Sequence, residues 1–379
     1  MKKIGIQKQI AWIAAVTLAA LTLLGSCGGG GSGAAEAGDA ATSAEIPETE
    51  TPTAASSGEE GADRFAGVVD ETNKARYTLN SLGYISDVEI AIEKGFFAEE
   101  GVEVEVIGVA GGGAMTVQEI TAGNADIGSA PYPPVINSHS TGGDVITFLG
   151  SGSGYSKDGY EGDYWVVRSD GEIKGPEDLK GKTIAMGALG AMWEYGTREY
   201  LARAGLTKDD VNIILVPPTQ HEQVLKSKQV DLTVTSSPIA DKIIEDGTAE
   251  FLTSTYRIYT DDGSEYPQTG GYVTSPEYAS KNPHTLQGII AALIKTNEWV
   301  NANPDEAREI VATVLEGREQ DPALAEYWKP ASIDDYGLLS DDGAEYWIAW
   351  FVGDGVLEEG QVQPSDIYTN IYNPYYEGE

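Results

Sequence analysis

The chain has 379 residues with 60 acidic and 24 basic side chains, which gives a formal net charge of −36 at pH 7. A surface this acidic repels a phosphate backbone, so nucleic acid is excluded as a partner. Three explanations of the charge remain open: solvation in a salty medium, solubility, and steering of a cationic ligand.

The N-terminal segment predicts export. Three lysines at positions 2, 3 and 8 precede an apolar run over residues 10–24, which is short for a membrane span and is laid out like a secretory signal peptide. The run ends in Leu24-Gly25-Ser26-Cys27, which resembles a bacterial lipobox, so we expect cleavage after residue 26 and a lipid on Cys27. Because Cys27 is the only cysteine, no internal disulfide or cysteine metal cluster can form. We expect an extracytoplasmic protein that is anchored to the membrane by this lipid.

Residues 27–74 are predicted to form the lipidated cysteine and a disordered tether, after a signal peptide at residues 1–26. They are rich in Gly, Ala, Ser, Thr, Pro and acids and contain very few large apolar side chains, so they cannot bury a core. The folded part is expected from residue 75. It has roughly three hundred residues, enough for two lobes with their own cores.

The segment that begins at Tyr77 predicts a β-α-β unit. An alternating run from Tyr77 stops at Gly83, as a strand followed by a flexible residue would. Ser86 stands three residues before Glu89, the spacing of a capping box, so a helix should begin there and stop at Gly95. Alternating valines then form a second strand. The helix N-terminus either lies at the ligand-binding edge of an open sheet or belongs to an ordinary capped helix.

A glycine-rich turn and a second helix follow. Gly111, Gly112 and Gly113 allow close backbone approach before a helix that runs through Ile120. Residues 123–128 then return as a short strand. The glycines do not match a dinucleotide-binding fingerprint and no phosphate-binding P-loop motif occurs, so nucleotide chemistry is not expected.

Several segments together resemble one family. They are AIEKGFFAEEGV at 91–102, the glycine turn at 111–113, GNADIG at 123–128, LKGKTIA at 179–185, YLARAGL at 200–206, DLTV at 231–234 with Pro238, and NPDEA at 303–307. On these motifs the chain resembles the nitrate/sulfonate/taurine and thiamine-pyrimidine family of solute-binding proteins of ABC importers. The resemblance covers nearly all of residues 77–372.

The resemblance implies an α/β architecture, the two-lobed type II periplasmic-binding-protein fold, in which each lobe is a mixed sheet flanked by helices. We expect lobe 1 to comprise residues 75–163 and 268–379, and lobe 2 to comprise residues 164–267. The two hinge crossovers are expected at 159–168 and 260–272. Closure about the hinge would trap a small-molecule solute, which a monomer would then deliver to an ABC permease.

We expect the ligand-binding residues in loops at the carboxyl ends of strands. The first-lobe candidates are Tyr84, Ser86, Asp87, Gly112, Gly113, Ala114, Ser129 and Tyr132. The second-lobe candidates are Gly187, Ala188, Met192, Trp193, Glu194, Thr219, Gln220, His221, Ser236 and Ser237. Helix starts are predicted at Thr219, which has Glu222 three positions on, and at Pro238. Several helix N-termini would then converge on one cleft.

Two ligand classes stay open because none of these loops contains a lysine or arginine. Helix N-termini can hold a sulfonate or nitrate through backbone N–H groups, but the fixed cation that often assists is missing. An aromatic, pyrimidine-type or cationic solute could instead stack on rings and pair with a carboxylate. The candidate rings and acids are Tyr84, Tyr132, Tyr155, Trp193, Tyr272, Asp87 and Glu194.

An enzyme is the rival class. The same family resembles fungal pyrimidine-precursor synthases, whose chemistry uses a cysteine-rich motif and an essential histidine. Here only His139, His221 and His284 could serve as acids, bases or metal ligands, and no HExxH or GxSxG motif occurs. We therefore predict no catalysis, no metal and no cofactor. A sensory or tripartite-transporter binding lobe is a further alternative.

Two histidines and the C-terminal aromatic residues carry further expectations. His221 either touches ligand as a neutral donor or lies exposed in a first helical turn, and His284 begins a surface helix. The aromatic residues of the C-terminal region recur at helical spacing, which predicts packing between the final helix and the first lobe. They are Tyr346, Trp347, Trp350 and Phe351.

Overall fold

The computed structural model describes residues 64–80, 85–151, 162–260, 268–330 and 333–378. The predictions on the signal peptide, on Cys27, and on Tyr84 and Tyr155 lie outside these residues. The described residues from Val69 onwards belong to one compact unit. Residues 64–68 belong to a separate unit and form a turn in which the Val68 N–H donates to the Phe65 carbonyl, 2.8 Å away.

The strands of the described residues form two sheets. They are β1 (Lys74–Leu79), β2 (Glu103–Val109), β3 (Ile127–Pro131), β4 (Ile146–Gly150), β5 (Asp163–Arg168), β6 (Thr183–Met186), β7 (Asn212–Leu215), β8 (Leu232–Ser236), β9 (Ala249–Ser254) and β10 (Gly270–Thr274). The first sheet has the order β2-β1-β3-β10-β4 and the second has the order β7-β6-β8-β5-β9. Each contains parallel and antiparallel pairs, which confirms the two mixed sheets.

Helices flank both sheets. They are α1 (Asp87–Lys94), α2 (Phe96–Glu99), α3 (Gly113–Thr121), α4 (Tyr132–Ser140), α5 (Met192–Ala202), α6 (His221–Lys226), α7 (Ile239–Glu245), α8 (Thr255–Thr260), α9 (Pro276–Lys281), α10 (Pro283–Ala302), α11 (Pro304–Gly317), α12 (Asp341–Gly353) and α13 (Pro364–Ile367). We call the first sheet with α1–α4 and α9–α13 the first lobe, and the second sheet with α5–α8 the second lobe. Within the described ranges, no helix has the length and apolarity needed to cross a bilayer.

The chain changes sheets twice. β4 ends the first passage through the first sheet and β5 already belongs to the second, so the first crossover lies between Gly150 and Asp163. β9 belongs to the second sheet and β10 returns to the first, so the second lies between Ser254 and Gly270. The two-lobed α/β architecture is thereby confirmed, while the residue limits of the lobes stay a prediction.

The predicted β-α-β unit at the start of the first lobe is confirmed. Ser86 caps α1, accepting a hydrogen bond from the Val88 N–H (3.1 Å), and the Glu89 carboxylate accepts one from the Ser86 N–H (3.3 Å). Gly95 ends the helix in the left-handed conformation at φ +75°. The reciprocal cap satisfies exposed N–H groups at the helix start, which is why the spacing read from the sequence located it.

Helices begin at the two sites predicted around residues 219–221 and Pro238, but the predicted cap at Thr219 is not formed. Thr219 lies in a 3-10 turn over Pro218–Gln220, and α6 begins at His221 without a side-chain cap. Glu222 does not reach back to a cap because its carboxylate is held by Lys226 and Lys242. Likewise Pro238 precedes α7, which begins at Ile239.

The C-terminal aromatic helix packs on the first lobe, as predicted, and its rings pack on the second lobe as well. α12 does pack on α4 of the first lobe. The Trp347 ring, however, lies 5.3 Å from the ring of Tyr259 in α8, and Phe351 lies 5.3 Å from Tyr195 in α5. Since Trp347 and Phe351 are buried, α12 joins the apolar cores of the two lobes, and α13 rather than α12 is the last helix of the described chain.

Candidate functional site

Loops from the two lobes meet at one place. Gly112 precedes α3 of the first lobe, and a Cβ atom built on it would stand 3.0 Å from the Ala188 Cβ of the second lobe. One built on Gly190 would stand 3.9 Å from the Ala114 Cβ. Both loops follow the carboxyl ends of parallel strands, β2 and β6, where open α/β sheets bind ligands. The structure therefore brings together the candidates Gly112, Ala114 and Ala188.

The helices that follow these loops begin without side-chain caps. The cap residues are Gly112 for α3 and Ala191 for α5, and neither receives a side-chain hydrogen bond. Gly113 is required by packing, because a Cβ there would lie 2.7 Å from the Pro131 ring at the end of β3. Two helix N-termini with free N–H groups and positive dipole ends thus flank the meeting point of the lobes.

Asp87 is a buried acid at the first-lobe edge. It opens α1, directly after Ser86, and its side chain is 4 % exposed. Burial raises the pKa of its carboxyl group to about 7, and a hydrogen bond from the Asn297 side chain offsets only part of that rise. Asn297 lies buried in α10, and no pattern in the sequence pointed to it. Ser86 itself is buried against Tyr77, whose hydroxyl lies 3.1 Å from its Oγ.

The arginine that contacts α1 and the arginine of α5 are each engaged in an ion pair. Arg318, after α11, forms a buried ion pair with Glu89 of α1. Burial raises the pKa of Glu89 and the Arg318 charge counteracts the rise. Arg198 of α5 pairs with Asp354, and its guanidinium carbon lies 5.0 Å from the Trp350 ring centroid. Neither arginine is left to neutralise Asp87.

Trp193 lies at the second-lobe edge, over the end of β6. A Cβ on Gly187 would stand 2.8 Å from the Trp193 ring, so only glycine lets the ring lie over the end of β6. The Trp193 side chain hydrogen-bonds to Asp163, the first residue of β5. Burial raises the pKa of Asp163 to about 6, and this hydrogen bond lowers it by less. Asp163 pairs with Ser236 across the sheet, so it lies at the same edge. The sequence reading missed it, although an acid directly before an apolar strand at a crossover is a usable signal.

His221 is buried, so the alternative of an exposed first-turn histidine is wrong. Its Nε2 lies 3.0 Å from the Val216 carbonyl oxygen, which can only accept, so Nε2 carries the proton. Burial lowers the pKa of the imidazole to about 4 despite this hydrogen bond, and the ring is neutral at pH 7. Nδ1 is therefore an acceptor, and it has no hydrogen-bond partner among the described residues. The ring centroid lies 6.2 Å from that of Trp193.

The other candidate residues pack in the core, form hydrogen bonds within the fold or are exposed. Met192 is buried in the core, and Tyr272 packs against Phe148 at 6.4 Å between ring centroids. The Tyr132 hydroxyl donates to the Gln268 Oε1 (3.2 Å) and burial raises its pKa. Glu194 accepts from the Gly190 N–H (2.8 Å), Ser237 donates to the Tyr327 carbonyl (2.9 Å), Ser129 stands opposite Tyr272 in the sheet, and Thr219 and Gln220 are exposed.

The remaining histidines lie outside this edge. His139 Nε2 lies 2.9 Å from the Val145 carbonyl oxygen. His284 stands at the start of α10, as predicted, and its Nδ1 lies 2.8 Å from the Asp70 carboxylate. Within the described part of the chain, no group of three or more His, Cys, Asp or Glu side chains is placed to hold a metal ion.

Two α/β lobes that meet through loops at their carboxyl edges define the periplasmic-binding-protein fold. The chain belongs to the family described as NMT1/THI5 like, whose family model matches residues 84–307. The resemblance read from the sequence motifs is thereby confirmed.

Similar proteins agree with this assignment. A protein of Brucella abortus (strain 2308) that carries a binding-protein name is 26% identical over 305 residues, covering 77% of this chain and 90% of its own. A solved structure from Bordetella bronchiseptica RB50 has a TM-score of 0.66 at 24% identity, covering 80% of this chain and 96% of that one. The alkanesulfonate-binding protein SsuA from Xanthomonas axonopodis pv. citri, bound to MOPS, has a TM-score of 0.64 at 17% identity, covering 80% and 100%. These structural likenesses concern the fold.

Proposed function

We propose that the protein is an extracytoplasmic lipoprotein that captures a small solute between its lobes and delivers it to an ABC permease. The observation that carries the proposal is the approach of Gly112 to Ala188, because a ligand held there would be enclosed by both lobes. Closure of two lobes around a ligand is the working motion of many binding proteins. The lipid on Cys27 would keep the protein beside its permease.

An organic or oxyanionic solute, such as a sulfonate, nitrate or taurine, is the first candidate. The two helix N-termini at Gly112 and Ala191 support it, since uncapped N–H groups and a helix dipole hold anions without an arginine. The alkanesulfonate-binding neighbour gives further support. The backbone N–H groups of residues 113–114 and 192–193 would make these contacts.

A solute with an aromatic or pyrimidine ring is the second candidate. Trp193 supports it because the half-buried indole lies at the edge where the lobes meet. Ring stacking on an indole contributes about 1 kcal/mol beyond the area it buries. The third candidate, an enzyme that resembles pyrimidine-precursor synthases, lacks support because the only buried histidine, among the described ones, uses its proton on the Val216 carbonyl.

A thermal-shift panel tests solute binding, since a ligand that binds only the folded state raises the melting temperature by mass action. The panel contains taurine, alkanesulfonates, nitrate, hydroxymethylpyrimidine, riboflavin and small amines at millimolar concentration. We expect at least one solute to raise the Tm without being consumed. Absence of any shift would refute the named solute classes, and steady turnover of one of them would overturn the non-enzyme assignment.

Two tryptophans allow a matched test of the site. Trp193→Ala removes a half-buried ring at the lobe edge, and Trp299→Ala removes a half-buried ring that packs on Phe96, far along the chain in α10. The first change should weaken binding of the ligand found in the panel by about tenfold or more, and the second should leave it unchanged. Equal affinities in both variants would contradict the placement of the site.

The anchor has its own test. Cys27→Ser should release the protein from the membrane fraction and abolish incorporation of labelled fatty acid when the chain is expressed in a bacterium with lipoprotein processing. Wild-type protein that remains in the soluble fraction would contradict the lipid anchor.

A further inference from the structure

We propose that the cleft recognises its solute through a protonated nitrogen, with Asp87 of the first lobe and Asp163 of the second as the carboxylates that receive it. The inference rests on the proposed solute-binding function and narrows its ligand class. Side-chain acceptors as well as backbone N–H groups would then bind the ligand.

The two acids lie on the two edges that face each other. Asp87 is the first residue of α1, at the carboxyl end of β1. Asp163 begins β5 and stands opposite Ser236, the last residue of β8, so it lies at the carboxyl end of a parallel strand of the second sheet. The Gly112 and Ala188 loops, which bring the lobes into contact, belong to the same two edges. A solute enclosed there would lie between the edge that carries Asp87 and the edge that carries Asp163.

Among the described residues, neither acid has a cationic partner. No lysine or arginine of the described chain forms an ion pair with either of them, and the nearby Arg318 is committed to Glu89. Each has one neutral side-chain donor, which is Asn297 for Asp87 and Trp193 for Asp163. Burial of a carboxylate costs free energy unless a cation or several hydrogen-bond donors pair with it. In the described part of the chain, the ligand-free protein therefore holds two carboxyl groups that no cation pairs with.

His221 adds a third unsatisfied acceptor at the second-lobe edge. Its side chain is fully buried, its Nε2–H is used by Val216, and Nδ1 is left without a partner among the described residues. Its ring lies beside the ring of Trp193, and the Trp193 side chain hydrogen-bonds to Asp163. Buried polar atoms are satisfied in the functional state of a protein as a rule. Hydrogen-bond acceptors without donors favour a ligand that supplies several N–H groups.

An ammonium or similar protonated amine supplies these donors together with the missing charge. The indole of Trp193 also suits a cation, because its ring face attracts positive charge. A solute that carries only an anionic group would satisfy the helix N-termini but leave the two carboxyl groups without a cation and the His221 Nδ1 without a donor. The acceptors thus favour an amine-bearing solute over a simple sulfonate or nitrate.

The test compares probes that differ only in the amine. Isothermal titration of the full-length protein in mild detergent would use taurine against ethanesulfonate, with propylamine, 1,3-diaminopropane and nitrate as further probes. We expect the best amine-bearing probe to bind about 30-fold or more tightly than the probe without an amine. Equal binding of taurine and ethanesulfonate, or binding of nitrate or ethanesulfonate alone, would overturn this inference while leaving the solute-binding function supported. Failure of every probe would overturn this inference, whereas the solute-binding function falls only if the whole thermal-shift panel fails as well.

Charge-neutral variants provide the second readout. Asp87→Asn and Asp163→Asn should each weaken the amine probe by about 30-fold, whereas Glu93→Gln, on the exposed face of the same α1 helix, should leave its affinity unchanged. Melting temperatures measured in parallel identify any variant that fails to fold. Wild-type affinity in both folded aspartate variants would refute the role of the two acids, whatever the probe selectivity.

Discussion

Gly112 and Ala188 belong to different lobes, yet a single added methyl group at Gly112 would stand 3.0 Å from the Ala188 Cβ. Gly112 also has a φ of +144°, in a region that side-chain-bearing residues rarely adopt. The position thus combines a backbone that needs glycine with a contact that lets the lobes approach. Both requirements can be separated experimentally.

Gly112→Ala should hinder the approach of the lobes. The backbone strain costs about 1–3 kcal/mol, and the new methyl group adds an inter-lobe clash. Gly111→Ala is the matched control, because its φ is +96° but no atom lies within 4 Å of its added Cβ. Both variants should lose stability in denaturant, but only Gly112→Ala should have a larger radius of gyration by small-angle scattering. Equal radii would show that the contact does not limit closure.

The capping box of α1 shows how much of this site the sequence could predict. Ser86 and Glu89 are three residues apart and act locally, so their pattern was sufficient to place the helix start. Asp163 and Trp193 are thirty residues apart, and their contact depends on the way β5 enters the second sheet. Such pairs depend on tertiary packing, which leaves no fixed spacing in the chain.

Thr219 shows the opposite case. It has the same spacing to Glu222 that predicted the cap at Ser86, but it lies in an exposed turn. Two lysines from α6 and α7 compete for the Glu222 carboxylate, and an ion pair with both replaces the backward reach to the cap. A local pattern is decisive only where no tertiary partner competes for its side chains.

The ion pair between Glu89 and Arg318 should be important for stability because it is buried, with 11% and 7% of the side chains exposed. Arg318→Met leaves the Glu89 carboxylate buried without its cation, and we expect a loss of about 3–5 kcal/mol in the free energy of unfolding. Lys74→Met breaks the pair with Glu103, whose side chains are 63% and 60% exposed, and should cost less than about 1 kcal/mol. Urea unfolding of both variants measures the difference. Similar losses would show that burial does not distinguish the two pairs.

Asp87 should make the protein less stable as the pH rises. Its carboxyl pKa is 3.8 in an unfolded chain and about 7 in the fold, so the folded state keeps a proton that the unfolded state releases. The stabilisation is complete below about pH 4 and is lost as the pH rises through 7. Asp87→Asn should therefore raise stability at pH 8, by on the order of 3 kcal/mol, and change it little at pH 4. A variant that is equally or less stable than wild type at pH 8 would contradict the buried, unpaired state of this carboxyl group.

His221 should act in the opposite direction. Burial lowers the pKa of its imidazole from 6.5 to about 4, so the unfolded chain takes up a proton that the folded chain refuses. Its contribution is complete above pH 6.5 and is lost as the pH falls through 4, by on the order of 3 kcal/mol in total. The titration of its C2 proton can be followed by NMR in buffer and in concentrated urea. A midpoint near 6.5 in the folded protein would contradict the buried, neutral ring.

Asp70 should hold the N-terminal residues of the folded unit against α10 through hydrogen bonds. Its Oδ2 accepts from the Thr285 N–H (2.6 Å) and hydroxyl (2.7 Å), and its Oδ1 accepts from the His284 side chain (2.8 Å). Burial alone would raise the pKa of Asp70, but the hydrogen bonds from Thr285 and His284 outweigh it and hold the pKa below 3.8. The stabilisation is therefore present above pH 3.8 and lost as the pH falls through the lower, folded value.

Asp70→Ala should accordingly cost about 1–2 kcal/mol, the effect of removing a helix cap, because the N–H groups at the start of α10 lose their acceptor. Glu71→Gln is the control, since Glu71 reaches Lys281 at 3.5 Å in an exposed pair and should change stability by less than about 0.5 kcal/mol. Hydrogen exchange of the Thr285 amide locates the effect: it should accelerate in Asp70→Ala and not in Glu71→Gln. Unchanged exchange in Asp70→Ala would mean that α10 is held at its start by other contacts, and that the carboxylate adds nothing to them.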